Sequence, residues 1–283
     1  AAIAPFLARW SRGTVVYDSE ALSSLREARI RELRGSPVNA AQLETLLRAE
    51  LEPARASSCI STVSAEEGRH IERIVPRPVR ELGFACDIRT SSTPFTERRG
   101  LLFVGAVVDS ADSPNTDALT WFLEEVYPSI QKRMNDRAIV HVAGACDEGV
   151  RRRLTRPGVT FAGTTPNLDE AYDSARVFVA ATRFAAGLPL KVYEAAARGV
   201  PIIASSLIAR LVGWHPGTDL AVADEPDDFA ELCVSLHADQ KAWQQLRQNA
   251  LERVRTDCSR ERFSAQLRDV ITTALGDSGP PDR

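Results

Sequence analysis

Lysine is scarce in this chain. Lys132, Lys191 and Lys241 are its only lysines, and arginine supplies the rest of its 35 basic residues. A lysine at a position suited to an anion is therefore slightly more informative than usual. Methionine occurs once, and no histidine precedes His70. The five cysteines, Cys59, Cys86, Cys146, Cys233 and Cys258, are widely spaced, with no C-x-x-C pair and no metal-ligand spacing. They read as reduced thiols of a cytoplasmic protein. No apolar run approaches the about 20 residues that cross a bilayer, and no signal peptide is expected. The formal charge of −3 gives no reason to expect a nucleic-acid partner. No strand is followed by G-x-G-x-x-G, which argues against a dinucleotide-dependent oxidoreductase.

What is present is an ordinary globular composition: 283 residues, 44% hydrophobic and 26% charged, enough for two domains. The chain starts at Ala1 without a methionine and runs almost at once into a strand, so it reads as a fragment. Residues 1–12 read as a short helix. Strands are expected over 14–17, 59–63 and 79–84, with helices over 21–34 and 39–54 between the first two. Asp18, at the end of the first strand, reads mainly as a helix cap, and Ser64 as another. Cys86 to Arg99 is polar and without periodicity, which reads as a linker. Leu101 to Gly105 is a buried strand ending in glycine. Asn115 reads as the N-cap of the next helix, which carries Ala118, Leu119, Phe122 and Val126. Further strands are expected over 138–144, 159–162 and 177–180. His141, inside the first of these, reads as a core residue. Gly144 ends its strand where a base or ribose could pass. Thr164, Thr165 and Asn167 lie in the loop after Gly163, and Asn167 also suits a helix cap. The apolar residues Trp243, Leu246, Leu251, Val254, Phe263, Leu267 and Ile271 recur at helical spacing in two final helices. The tail from Gly276 reads as disordered.

The most informative stretch is Ala181 to Ser205. It reads as a loop, a short helix, a tight turn and a buried strand. Pro189 suits the first helical turn, and Gly199 with Pro201 ends the helix. Ala195, Ala196 and Ala197 keep it thin enough to pack close to a sheet. Its N-terminus offers free N–H groups and positive potential, which suit a phosphate. Ala185, Ala186 and Gly187 let a ligand approach the backbone. Lys191 can add charge against a diphosphate. Glu194, one turn in, can accept from both hydroxyls of a ribose. Arg183 is the one arginine close in sequence to this N-terminus and is a second candidate for diphosphate charge. An ordinary surface Lys–Glu pair on an α/β helix is the plainer alternative.

Gly187, Glu194, Gly199 and Pro201 resemble the donor-site signature of GT-B glycosyltransferases, especially glycosyltransferase family 4. The resemblance implies an α/β GT-B fold of two Rossmann-like domains with parallel sheets, the N-terminal one incomplete. Residues 1–88 would form the partial acceptor-side domain and 89–99 the linker. Residues 100–275 would form the donor domain with its C-terminal helices, leaving 276–283 as a tail. The final helix, residues 260–275, fits one that crosses back to the N-terminal domain in that fold. The family's pattern points to donor contacts at Gly105, Gly187 and Glu194, and the candidate donor site adds Gly144, Arg183, Leu190 and Lys191. The family often carries an earlier glutamate, at a position held here by Ala186, and a basic pair after the strand glycine, absent after Gly105. The segment with Pro114 and Asn115 is similar to a branch in which a Pro-Asn pair follows that glycine. The implied reaction is transfer of a sugar from a nucleotide diphosphate sugar to a glycan or lipid-linked acceptor, with retention and without a cofactor. No Asp-x-Asp metal motif occurs. Peripheral membrane association is compatible with this reading, and no catalytic residue is identified. A non-catalytic nucleotide-sugar or glycan-binding module is the alternative, with a nucleotide-sugar epimerase behind it.

Overall fold

The computed structural model describes residues 13–135 and 137–276. The helix expected over 1–12 and the tail over 277–283 lie outside them. The chain divides into two compact units. One takes in the chain up to Ala85, the segment Phe184–Leu188 and the chain from Asp257 on; the other comprises Cys86–Arg183 and Pro189–Thr256.

The first unit is built on a parallel sheet of β1 (Val16–Ser19), β2 (Cys59–Thr62) and β3 (Val79–Glu81), in that order. The central strand β2 is buried along its whole length. Helices α1 (Ser23–Leu33), α2 (Ala40–Glu50) and α3 (Ala65–Ile74) join the strands. Their apolar residues close a core of Leu22, Leu47, Leu51, Ile60, Ile71 and Val75. Asn39 and Gln42 form a capping box on α2, and Ser64 accepts from Glu67 N–H to cap α3. Asp18 does not cap α1. It accepts from Ser61 Oγ at 2.6 Å, joining the carboxyl ends of β1 and β2. The N-terminus of α1 is served instead by Glu50, which accepts from Ser23 and Ser24 N–H at 2.7 and 2.9 Å.

The second unit carries β4 (Leu101–Val104), β5 (Val140–Ala143), β6 (Val159–Gly163), β7 (Val177–Ala180), β8 (Ile202–Ala204) and β9 (Ala221–Val222). They form one sheet in the order β6-β5-β4-β7-β8-β9, every neighbouring pair parallel. The helices are α4 (Pro114–Trp121), α5 (Tyr127–Arg133), α6 (Glu148–Leu154), α7 (Asp169–Ser174), α8 (Leu190–Ala197), α9 (Ser206–Val212), α10 (Pro226–Ala238) and α11 (Gln240–Asp257), the last residue of α11 falling in the first unit. A π-helical turn over Phe122–Val126 joins α4 to α5. Pro128, in the first turn of α5, lacks the N–H that a regular continuation would need. Phe103, Phe122, Tyr127, Val140, Val179, Ile203 and Phe229 lie in the core of this unit.

Two boundaries differ from the sequence expectation. The stretch 89–99 is not a free linker but part of the second unit. Arg98 is wholly buried, and its guanidinium donates to the carbonyls of Thr93, Tyr172 and Ala175 at 2.9 to 3.0 Å. The final helix, α12 (Arg260–Leu275), belongs to the first unit, as expected of a helix that returns to the N-terminal domain, so the second unit does not run on to residue 275. Its Val270 and Ala274 pack on Cys59, Gln266 accepts from Gly83 N–H at 3.1 Å, and Asp269 pairs with Arg80 at 3.0 Å.

Candidate functional site

The strand order of the second unit places a ligand site before any side chain is considered. Chain order runs outward from β4 on one side and from β7 on the other. The loops leaving β4 and β7 therefore diverge to opposite faces and open a crevice at the carboxyl ends of the strands. Gly105 follows β4 directly, and Arg183 lies three residues after β7. Gly144 follows β5 with φ +127°. A side chain there would overlap the carbonyl oxygen of Gly105, so the exits of β4 and β5 touch through backbone alone.

Asn115 fills the space above Gly105. A Cβ on Gly105 would lie 2.7 Å from Asn115 Cγ. The expectation that Asn115 caps α4 is corrected here, since the cap is Ser113, whose Oγ accepts from Thr116 N–H. Pro114 at the first helical position suits that register. Freed from capping, Asn115 donates from Nδ2 to Ala106 O at 3.1 Å and accepts from Lys191 Nζ at 2.6 Å. Lys191 also lies 5.1 Å from the centroid of the Phe103 ring. Burial pushes its ammonium down to about 8, because desolvation disfavours the charged form.

Pro189 is the N-cap of α8, and the first intrahelical bond runs from Val192 N–H to Pro189 O. The N–H groups of Leu190 and Lys191 thus precede the hydrogen-bonded ladder. Leu190 is half exposed. At the other end Gly199 takes φ +70°, with Gly199 N–H on Ala196 O and Val200 N–H on Ala195 O. This is the paired closure expected of a left-handed glycine cap. Ala195, Ala196 and Ala197 are all buried. Glu194 points the other way, to the exposed side, where Tyr172 Oη donates to its Oε2 at 3.3 Å. Burial first, and then Glu194, raise the Tyr172 phenol far above its ordinary range. It stays a donor and holds the carboxylate in place. Arg198 pairs with Asp169 and lies over the Tyr172 ring.

Arg183 is not a lone cation. Its Nε donates to Asp117 Oδ2 at 2.9 Å and its Nη2 to Asp117 Oδ1. Its charge is compensated by a two-pronged pair, which weakens the expectation that it supplies charge to a diphosphate. Gly187 groups with the first unit. There its N–H donates to Oε1 of the buried Glu67 at 2.8 Å, and its φ of +73° puts it against the backbone of Glu20. Asn167 accepts from Asp169 N–H just ahead of α7, and Thr165 donates to Asn167 O, so this loop hydrogen-bonds to itself. His141 is partly buried, with Nδ1 at 2.8 Å from Thr160 Oγ1, and burial lowers its pKa.

Gly105, Gly144, Arg183, Leu190, Lys191 and Glu194 thus belong to one unit, around the carboxyl ends of its strands and the first turns of α8. Asn115, Asp117 and Tyr172 join them. The Pro-Asn pair marked Asn115 as notable, but its reach to Lys191 depends on the register of α4. Asp117 and Tyr172 had no local signal.

Solved structures share this fold. Sucrose-phosphate synthase from Thermosynechococcus elongatus matches at TM-score 0.74 and 15% identity, over 98% of this chain and 71% of that one. HepE of Anabaena, crystallised with UDP and glucose, matches at 0.68 and 12%, over 92% and 72%. TarM matches at 0.68 and 11%, over 83% of this chain and only 47% of that one. At such identities the likeness is one of fold, and the fold is GT-B. By sequence, none of the curated proteins matches the chain. Residues 98–239 match the family model described as glycosyl transferases group 1. The chain belongs to this family of glycosyltransferases.

Proposed function

We propose that this chain binds a nucleotide diphosphate sugar at the carboxyl ends of β4 and β7 and transfers the sugar to a glycan or lipid-linked acceptor. The observation that carries the reading is the placement of Lys191. One cation, its charge costly to bury, stands in the first turn of α8 beside two N–H groups outside the helix ladder. A diphosphate suits that arrangement, and the charge that develops on it as the glycosidic bond breaks is stabilised there. Asn115 positions the ammonium. Glu194, steadied by Tyr172, accepts the ribose hydroxyls. Gly105 leaves room for the Asn115 side chain, and Gly144 lets the two strand exits meet through backbone. Retention of configuration and independence of a metal are part of the proposal, supported by the resemblance to family 4 and by the lack of an Asp-x-Asp motif.

Calorimetric titration with UDP, GDP, ADP and dTDP tests the site. One nucleotide binds in preference to the others, and Glu194→Ala weakens it about tenfold, the worth of one or two charge-assisted hydrogen bonds. Equal affinity in the variant would refute the ribose role. The Arg183–Asp117 pair favours a second reading, a donor-binding module without transfer. Donor hydrolysis or transfer in the presence of a chelator separates the two, because a pure binding module shows neither.

A further inference from the structure

The opposite end of the second unit's sheet holds a cavity of ≈ 480 Å³ that the proposed reaction does not use. Gly100 precedes β4, Ile139 precedes β5 and Arg176 precedes β7, and all three line it. The site around Lys191 lies at the carboxyl ends of these parallel strands. A strand of four residues is about 13 Å long, so a small ligand in this cavity stays clear of that site.

Among the described residues, every charged one lining the cavity is basic: Arg99, Arg133, Arg137 and Arg176, with His237 beside them. Arg176 is fixed in position. Its guanidinium lies 4.0 Å from the centroid of the Phe95 ring, with Nη1 donating to His237 O at 2.7 Å and Nη2 to Phe95 O at 2.8 Å. Its buried Nε has no partner among the described residues. Arg133 has long contacts to Asp227 and Glu231, at 3.9 and 3.6 Å. Arg99 and Arg137 are exposed, and neither pairs with a carboxylate among the described residues. The positive field is felt within the cluster. Burial and then Arg99 lower the Arg176 pKa, while burial and then Arg176 lower His237 to about 4. Helix C-termini attract cations, and the carbonyl of His237 near the end of α10 accounts for Arg176 in this way. It leaves Arg99 and Arg137 unexplained. Two exposed arginines and a fixed one line the same cavity, and guanidinium forks suit the oxygens of a multiply charged anion. Ile139, Met134 and Val234 supply an apolar wall beside them.

The geometry points to a second ligand site at this cavity, for a molecule carrying two or more phosphate charges, separate from the donor site. The same chemistry is offered by a free molecule with two phosphates and by a phospholipid headgroup with two phosphates.

The test uses the full chain carrying Lys191→Met, so that the donor site does not bind the probe. Inorganic pyrophosphate is titrated into this protein and into the same protein with Arg99→Ala and Arg137→Ala. Both arginines are exposed, so the fold is expected to persist, and thermal melts check it. In parallel, both proteins are sedimented with phosphatidylcholine vesicles, with and without cardiolipin, whose headgroup carries two phosphates. Pyrophosphate affinity that drops at least about tenfold with the two arginines supports a free phosphorylated ligand. Arginine-dependent sedimentation that requires cardiolipin supports the headgroup. A charge reversal, Arg137→Glu, lowers whichever signal is seen. Absence of both signals, or signals unchanged without the arginines, overturns the proposal.

Discussion

At the scale of single residues, the proposed donor site turns on Lys191. Its ammonium is held half-buried by Asn115 and loses its proton at about 8 rather than in the ordinary lysine range. A phosphate ligand binds the protonated form, and the nucleotide's terminal phosphate is already ionised by pH 7. The sign follows: raising the pH from 7 to 9 deprotonates the lysine and lowers nucleotide affinity about tenfold. In Lys191→Arg the cation keeps its charge, and the pH dependence disappears. Calorimetry across that range checks both, and a flat profile in the unaltered protein would show that Lys191 does not face the phosphate. Folding carries the opposite sign. The folded state lowers this pKa, so the lysine's contribution to stability rises with pH from about 8 through the ordinary lysine range. Asn115 shows how a single position misleads. Ser113, Pro114 and Asn115 offer two capping side chains, and the proline decides for Ser113.

Among the elements, the exits of β4 and β5 are the tightest part of the site. Gly144 combines φ +127° with contact against Gly105 backbone. Replacing it with alanine forces an unfavourable conformation and a clash with a carbonyl that has no rotamer to change. Gly144→Ala is expected to cost about 3 kcal/mol and to weaken nucleotide binding by parting the two loops. Thermal unfolding and calorimetry together read this out; a variant as stable as the parent would mean that the exits are not close-packed. The short helix α8 was legible in detail, because its glycine cap, alanine face and entry proline are local signals. Arg98 was not legible. An arginine in a polar stretch reads as solvent-facing, and only the remote carbonyls of Tyr172 and Ala175, with the nearby one of Thr93, make its burial tolerable.

For the whole molecule, each compact unit is assembled from segments far apart in sequence. The clearest case is α12, which covers Cys59 on β2. Cys59 is fully buried, and burial raises its thiol pKa. Truncation after Asp257 is expected to expose this thiol, so that iodoacetamide alkylates Cys59 while the buried Cys233 stays protected. Peptide mapping of the intact and truncated chains measures it. Protection of Cys59 in the truncated chain would show that the helix is dispensable to that unit.

The sequence by itself determined the alternation of strands and helices and the helix that carries Lys191 and Glu194. These rest on periodicity, glycine and proline, whose effects act within a few residues. Only the tertiary structure decided what each charge meets. It bound Arg183 to Asp117, gave Asn115 to Lys191 and Tyr172 to Glu194, buried Arg98, and gathered four arginines at the far end of the sheet. Each of these pairs residues 22 or more positions apart or depends on strand order. A helical or strand period states which face is apolar or charged, and the packing of distant segments chooses its partner.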